Sequence, residues 1–251
     1  MIRLEKYHGL GNDFLVFLDL GDKCQLDPGD VRALCDRHRG VGADGVIRVT
    51  GGPERPPERG GGPTMELFNA DGSRAEMSGN GIRCLAMAMV DAGLSGPRMV
   101  VHTDAGDKTV TVDDDGWVSV DMGMAKIDAK DVGLAFVDMG NPHTVVEVED
   151  LAKVRIAKQA AEWTGRNVEF VTIGPGRDHL SMRVWERGVG ETLACGTGAC
   201  AAAAAAFVWG KVGNHVTVKQ PGGNATVRLE GNTIILSGPA DHIATVEVPW
   251  L

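Results

Sequence analysis

The sequence predicts an α+β fold made of two similar domains, and three observations carry that expectation. Short alternating runs outnumber helical ones, and turn residues separate them as hairpin loops do. Helical patterns occur singly between those runs, which favours mixed domains over a doubly wound parallel sheet. The third observation is a repeat. Ser78-Gly79-Asn80-Gly81-Ile82-Arg83 and Cys195-Gly196-Thr197-Gly198-Ala199-Cys200 share a Gly-x-Gly core and begin 117 residues apart. The flanks keep that offset: Met65-Glu66-Leu67-Phe68-Asn69 falls on Met182-Arg183-Val184-Trp185-Glu186, and Gly93 falls on Gly210. A period of this length is a domain rather than a solenoid unit. Facing each other, the two copies would hold a ligand between them.

Taken in order, residues 1–6 alternate as a strand. A helix is expected over 28–37, with Asp27 as N-cap and Pro28 in the first position. Residues 51–63 are rich in Gly, Pro, Glu and Arg and read as a mobile hairpin loop. A second helix, 80–92, ends at Gly93. Strands over 110–112 and 117–122 flank Asp113-Asp114-Asp115-Gly116, where the domain boundary is placed. A third helix, 151–164, ends at Gly165, and a fourth, 197–209, ends at Gly210. Strands over 215–218, 225–229, 233–236 and 244–248 complete the pattern. The domains are then 1–115 and 116–240.

At 251 residues the chain is long enough for one large or two small cores. A net charge of −9 argues against nonspecific nucleic-acid binding, which needs a basic surface. The amino-terminal stretch lacks the apolar core of a signal peptide, and the longest apolar run, 199–209, is too short to span a bilayer. Five cysteines without metal-type spacing fit a reducing compartment, so a cytoplasmic protein is expected. Cys24 and Cys35 carry no motif. Cys84 and Cys200 fall inside apolar helices, where a buried thiol is the ordinary reading.

The chemistry concentrates at the two glycine motifs. Glycines let backbone approach a ligand closely, and the first turn of a helix offers free N–H groups at the positive end of its dipole, an anion site. The same position is expected to lower the pKa of the Cys195 thiol. A single Gly-x-Gly turn matches many unrelated proteins; the second copy at a fixed offset is what makes it informative. Glu186 could share a proton with Cys195, and Arg187 could bind a carboxylate, although Glu-Arg alone is usually a solvated pair. Gly140-Asn141-Pro142-His143 is a tight turn bearing an imidazole. Asn12, Asn69, Asn80, Asn141 and Asn167 lie in or beside such motifs, each offering a donor and an acceptor without charge.

Jointly these residues resemble the diaminopimelate epimerase family, the cofactor-independent amino-acid epimerases of lysine and cell-wall biosynthesis. The likeness runs through His8-Gly9-Leu10-Gly11-Asn12-Asp13-Phe14, Arg39-Gly40-Val41-Gly42-Ala43-Asp44-Gly45, Phe68-Asn69-Ala70-Asp71-Gly72-Ser73 and both glycine motifs. It also takes in Met139-Gly140-Asn141-Pro142-His143 and Trp185-Glu186-Arg187-Gly188. The resemblance implies two pseudo-symmetric domains, each a rolled, mostly antiparallel sheet around a central helix, with a carboxy-terminal strand (241–251) returning to the first. It implies inversion of one α-carbon of LL-diaminopimelate to the meso form, one residue removing the α-proton and another supplying one. Carried over, Cys195 assisted by Glu186 is one acid/base group, and position 78 assisted by His143 is the other. Asn12, Asn69, Asn141, Asn167 and Arg187 match substrate-binding positions. The backbones of Gly79, Asn80, Gly196 and Thr197 match the α-carboxylate cradle. The expected partner is a small-molecule substrate, with no cofactor, metal, nucleic acid or membrane, and a homodimer is left open.

Two departures stand out. Position 78 is Ser where typical members have Cys, and a hydroxyl is a far weaker acid than a thiol. Gly45 stands where many members have a side-chain amide. Ser78 leaves three readings: an epimerase that works with serine, a racemase, isomerase or dehydratase of the same fold with one-sided chemistry, or a ligand-binding variant without turnover.

Overall fold

The computed structural model describes residues 1–51 and 61–249. Residues 52–60, the heart of the expected Gly/Pro-rich loop, lie outside the described residues. The chain divides into two units, Met1–Val120 with Pro239–Leu251, and Asp121–Gly238. Among the described residues no helix is long and apolar enough to cross a membrane.

The first unit contains β1 (Ile2–Gly9), β2 (Asn12–Leu18), α1 (Pro28–Cys35), β3 (Gly45–Thr50), β4 (Thr64–Asn69), β5 (Arg74–Ala75), α2 (Gly79–Asp91), β6 (Arg98–Thr103), β7 (Gly106–Val112) and β8 (Trp117–Asp121). The second contains β9 (Lys126–Asp131), β10 (Leu134–Asp138), β11 (Pro142–Glu147), α3 (Ile156–Ala160), β12 (Asn167–Ile173), β13 (His179–Glu186), β14 (Gly190–Thr192), α4 (Gly196–Val208), β15 (His215–Gln220), β16 (Gly223–Glu230) and β17 (Thr233–Pro239). The final strand, β18 (Asp241–Val248), pairs antiparallel with β1. It therefore belongs to the first unit.

The pairing scheme is the same in both units. β1 and β2 are antiparallel, β2 and β3 parallel, β3 and β4 antiparallel. β10 and β11, β11 and β12, and β12 and β13 repeat that series. The registers fix which residues are equivalent. Phe14 pairs with Gly45 and Gly45 with Asn69 in one unit. His143 pairs with Asn167 in the other, and Val168 with Trp185 sets Asn167 opposite Glu186. His143 is thus the counterpart of Phe14. Ile47 pairs with Leu67 and Glu169 with Val184, so Glu169 is the counterpart of Ile47.

α2 and α4 span corresponding residues at the 117-residue offset. Each is enclosed by the strands of its own unit. α2 packs on β1, β2 and β7, and α4 on β10 to β13 and β16. Ile82, Leu85 and Met89 are fully buried along α2. α4 solves the same problem with small residues: Ala199 to Ala206 are all buried, so strands can close round it on every side. A helix apolar on all faces belongs inside a fold.

The Asp27 cap is present as a capping box with Asp30, and Pro28 opens α1. That helix stops at Cys35, before the expected 37, because Asp36 turns extended and its carboxylate accepts from the His38 and Arg39 N–H groups. The expected helix over 151–164 is in fact three short pieces: 3-10 turns at Leu151–Lys153 and Ala161–Trp163 flank α3. Asp150 caps the first turn, and extended backbone at Val154 breaks the run while keeping Val154 and Ile156 buried.

Candidate active site

The residues named above form two half-sites, one in each unit. In each, a residue with a reactive side chain is the N-cap of the central helix. Ser78 is extended, and its Oγ accepts from the Gly81 N–H at 3.0 Å. Cys195 is extended in the same way, and its Sγ accepts from the Gly198 N–H at 3.3 Å. The N-cap geometry aims each side chain back over the first turn, among the N–H groups the helix leaves free. A Cβ added at Gly81 would lie 3.2 Å from Ser78 Cβ, and one at Gly198 would lie 3.2 Å from Cys195 Sγ. Both glycines are set by that close approach.

In the first half-site a chain of hydrogen bonds orients the amides. Arg83, fully buried on α2, donates to Asn80 Oδ1 at 2.9 Å and to the Gly79 carbonyl at 3.0 Å. Asn80 then donates to Asn12 Oδ1 at 3.1 Å, and Asn12 donates to Asp44 Oδ2 at 2.8 Å. Arg37 bridges Asp44 and Asp13, with Lys6 on Asp13. Burial works to raise the Asp13 carboxyl; Arg37 and Lys6 outweigh it and hold it below the ordinary carboxylate range. Asn69, exposed at the end of β4, donates to Ser73 Oγ at 3.0 Å. Gly45 admits no side chain here: a Cβ would lie 2.5 Å from the Phe68 carbonyl oxygen.

The second half-site is dominated by ionisable groups. His143 is fully buried on β11, with Nδ1 2.7 Å from Glu169 Oε1 and Nε2 2.9 Å from Asn141 Oδ1. Asn141 Nδ2 donates to Thr197 Oγ1 at 3.4 Å, and Thr197 Oγ1 lies 3.5 Å from Cys195 Sγ. Glu186 accepts from the Thr192 hydroxyl at 2.5 Å, and its charge acts on the Cys195 thiol. Burial raises the Glu186 carboxyl, and the Glu169 charge adds to that. Asn167 accepts from the Arg187 backbone N–H at 2.9 Å. The Arg187 guanidinium is exposed and reaches the Gly165 carbonyl at 3.5 Å.

One expectation is reversed. The Cys195 thiol is raised well above the ordinary cysteine value, not lowered. Burial is the main cause, followed by the Glu186 and Glu169 charges; Thr197 and the Gly198 N–H pull the other way and lose. Glu169 is also the residue that sequence reasoning missed. The available signal was a carboxylate inside the otherwise apolar run Val168-Glu169-Phe170-Val171.

The sequence profile of the family described as diaminopimelate epimerase matches residues 4–127 and 135–243. Diaminopimelate epimerase 1 of Nostoc sp. is 39% identical, over 97% of this chain and 98% of that protein. The chain belongs to the diaminopimelate epimerase family. Diaminopimelate epimerase of Prochlorococcus marinus is also 39% identical, over 97% of this chain and 91% of the relative. Among solved structures, a predicted epimerase from Pseudomonas aeruginosa superposes with a TM-score of 0.76 at 18% identity, covering 99% of both chains. A probable proline racemase from Agrobacterium radiobacter gives 0.73 at 18%, covering 99% of this chain and 93% of the other. These two likenesses are of fold, and they agree with the α+β architecture expected from the repeat.

Proposed function

We propose that this chain is a diaminopimelate epimerase, interconverting the LL and meso forms by proton transfer at one α-carbon without pyridoxal phosphate. The observation that carries this reading is the near-full-length identity to curated diaminopimelate epimerases. The family resemblance and the two helix caps support the following residue roles. Cys195 is one acid/base group. In the ligand-free state its thiol is neutral, so it acts as a proton donor directly, and as a base only after passing its proton to Glu186. Ser78, the counterpart N-cap, is the second group. When the α-proton leaves, charge grows on the substrate α-carboxylate. The backbones of Gly79, Asn80, Gly196 and Thr197, at two helix N-termini, stabilise it. Asn12, Asn69, Asn141 and Asn167 bind the polar substrate groups, and Arg187 takes the distal carboxylate, which selects diaminopimelate over monocarboxylic amino acids.

A second reading draws on the unequal caps. Ser78 has Phe14, Ile47 and Asn69 where Cys195 has His143, Glu169 and Glu186. That asymmetry favours chemistry from one side only, as in a dehydratase. Incubation with diaminopimelate in deuterium oxide separates the two. Deuterium uptake with inversion supports the epimerase. Uptake or elimination without inversion supports one-sided chemistry, and no uptake sinks both. Arg187→Ala should weaken diaminopimelate turnover by about 2–5 kcal/mol in kcat/KM. Equal turnover of a monocarboxylic amino acid by the unmodified protein would overturn the substrate assignment.

A further inference from the structure

Glu169 is a buried carboxylate that the roles above leave unused. It is fully buried in the middle of β12, and only one of its two oxygens, the one 2.7 Å from His143 Nδ1, has a partner. Burying a carboxylate is expensive even when it is paired. The fold itself does not ask for one. The corresponding place in the first unit holds Ile47, fully buried, with Phe14 where His143 stands. The helix even makes room for the charge: a Cβ at Gly198 would lie 2.7 Å from Glu169 Oε1, whereas one at Gly81 would meet Ile47 Cδ1 at 3.1 Å.

We propose that Glu169 is a positioning residue that anchors a hydrogen-bond relay ending on Cys195. Glu169 accepts from His143 Nδ1. With Nε2 facing Asn141 Oδ1 at 2.9 Å, the ring is held at both nitrogens, by Glu169 on one side and Asn141 on the other. This fixes the Asn141 amide, turning its Nδ2 toward Thr197 Oγ1 and leaving the Thr197 hydroxyl proton for Cys195 Sγ. The sulfur is then held by two donors, the Thr197 hydroxyl and the Gly198 N–H. Remove the carboxylate and the imidazole loses its anchor at Nδ1, the Asn141 amide is free to turn over, and the thiol loses its orientation.

The test has two readouts. In the substrate-free protein, the nitrogen-15 spectrum should show His143 Nδ1 donating a strong hydrogen bond, and Glu169→Gln should shift that resonance. With diaminopimelate, Glu169→Gln should lower kcat for α-proton exchange on the order of 10- to 100-fold, the range of other groups that orient a functional histidine, while KM changes less than about twofold. The double variant Glu169→Ile with His143→Phe installs the pair found in the first unit. It should unfold cooperatively at no lower temperature than the parent, yet lose exchange activity. An unchanged His143 spectrum or an unchanged kcat in Glu169→Gln overturns the proposal. So does a double variant that fails to fold, because the pair is then structural. The proposal rests on the epimerase reading for its substrate alone. If the unmodified protein exchanges no α-proton of diaminopimelate, that reading fails, and the nitrogen-15 comparison still decides the role of Glu169.

Discussion

α2 and α4 begin with the same geometry and opposite surroundings. Each starts from an extended N-cap whose side chain accepts the N–H three residues on, with a glycine at that third position. Around Ser78 the equivalent strand positions carry Phe14, Ile47 and Asn69; around Cys195 they carry His143, Glu169 and Glu186. The backbone was kept in duplicate while ionisable side chains at these three strand positions were confined to one copy. The fold therefore requires the glycine, the cap and an apolar or well-paired side chain on the central strands. The charged set is an addition that one half carries and the other folds without.

The comparison can be broken most directly at its reactive caps. Cys195→Ala should lower α-proton exchange by roughly 10²- to 10⁴-fold, the scale of a lost acid/base group, measured as deuterium uptake under saturating diaminopimelate. A drop of less than tenfold would mean that the thiol is not an acid/base group. Placing a carboxylate where the first unit lacks one should do the reverse kind of damage. Ile47→Glu meets Phe14 rather than an imidazole, and should cost about 3–5 kcal/mol of unfolding free energy, as unpaired buried charges do. Urea denaturation reads it. A loss near zero would show that the core around α2 tolerates charge and that the asymmetry carries no meaning.

Alkylation sharpens the picture of the thiol itself. Because burial and two carboxylates raise Cys195, its thiolate grows with pH without levelling off below pH 9. Its rate with iodoacetamide should then climb roughly tenfold per pH unit between 7 and 9. A plateau near neutrality would restore the low-pKa thiolate that the helix N-terminus alone suggests. Ser78→Cys should raise the inversion rate by on the order of tenfold, since a thiol titrates far closer to neutrality than a hydroxyl. If inversion is unchanged or lost, position 78 is not the second acid/base group. The smallest effect is on stability: Ser78→Ala removes the bond to the Gly81 N–H and should cost about 1 kcal/mol.

How much of this was legible depended on what each residue had to do locally. The 117-residue repeat survives in α2 and α4 because glycine spacing and small apolar faces are demanded by close packing, and close packing is written residue by residue. The hairpin strands β7, β8 and β15 to β17 showed themselves by alternation, having one face toward the core and one toward water. The central strands β2, β3 and β12 did not. Phe14 to Phe17, Gly45 to Val49 and Asn167 to Val171 are buried throughout, so they show no period of two. Glu169 hid in such a strand for the same reason. The direction of the Cys195 shift was not legible because the helix N-terminus is local and visible, whereas the burial that dominates, and the Glu186 and Glu169 charges that add to it, exist only once α4 is packed against β12 and β13. The long helix expected at 151–164 failed at Val154, where burying a β-branched side chain against β12 outweighed helical continuity.

The return of β18 to β1 also sets an order of events during synthesis. Asp121–Gly238 is one uninterrupted stretch and can complete its sheet as soon as it has left the ribosome. The first unit, although made earlier, cannot, because Ile2 waits for Val248. Until then β1 presents a free row of backbone donors and acceptors along one side, the kind of edge that recruits foreign strands. The equilibrium cost of so distant a pairing is small, since each doubling of a loop adds only about 0.6 kcal/mol. What it costs is time. The half translated first is the half finished last, and it stays vulnerable to aggregation until its closing strand emerges.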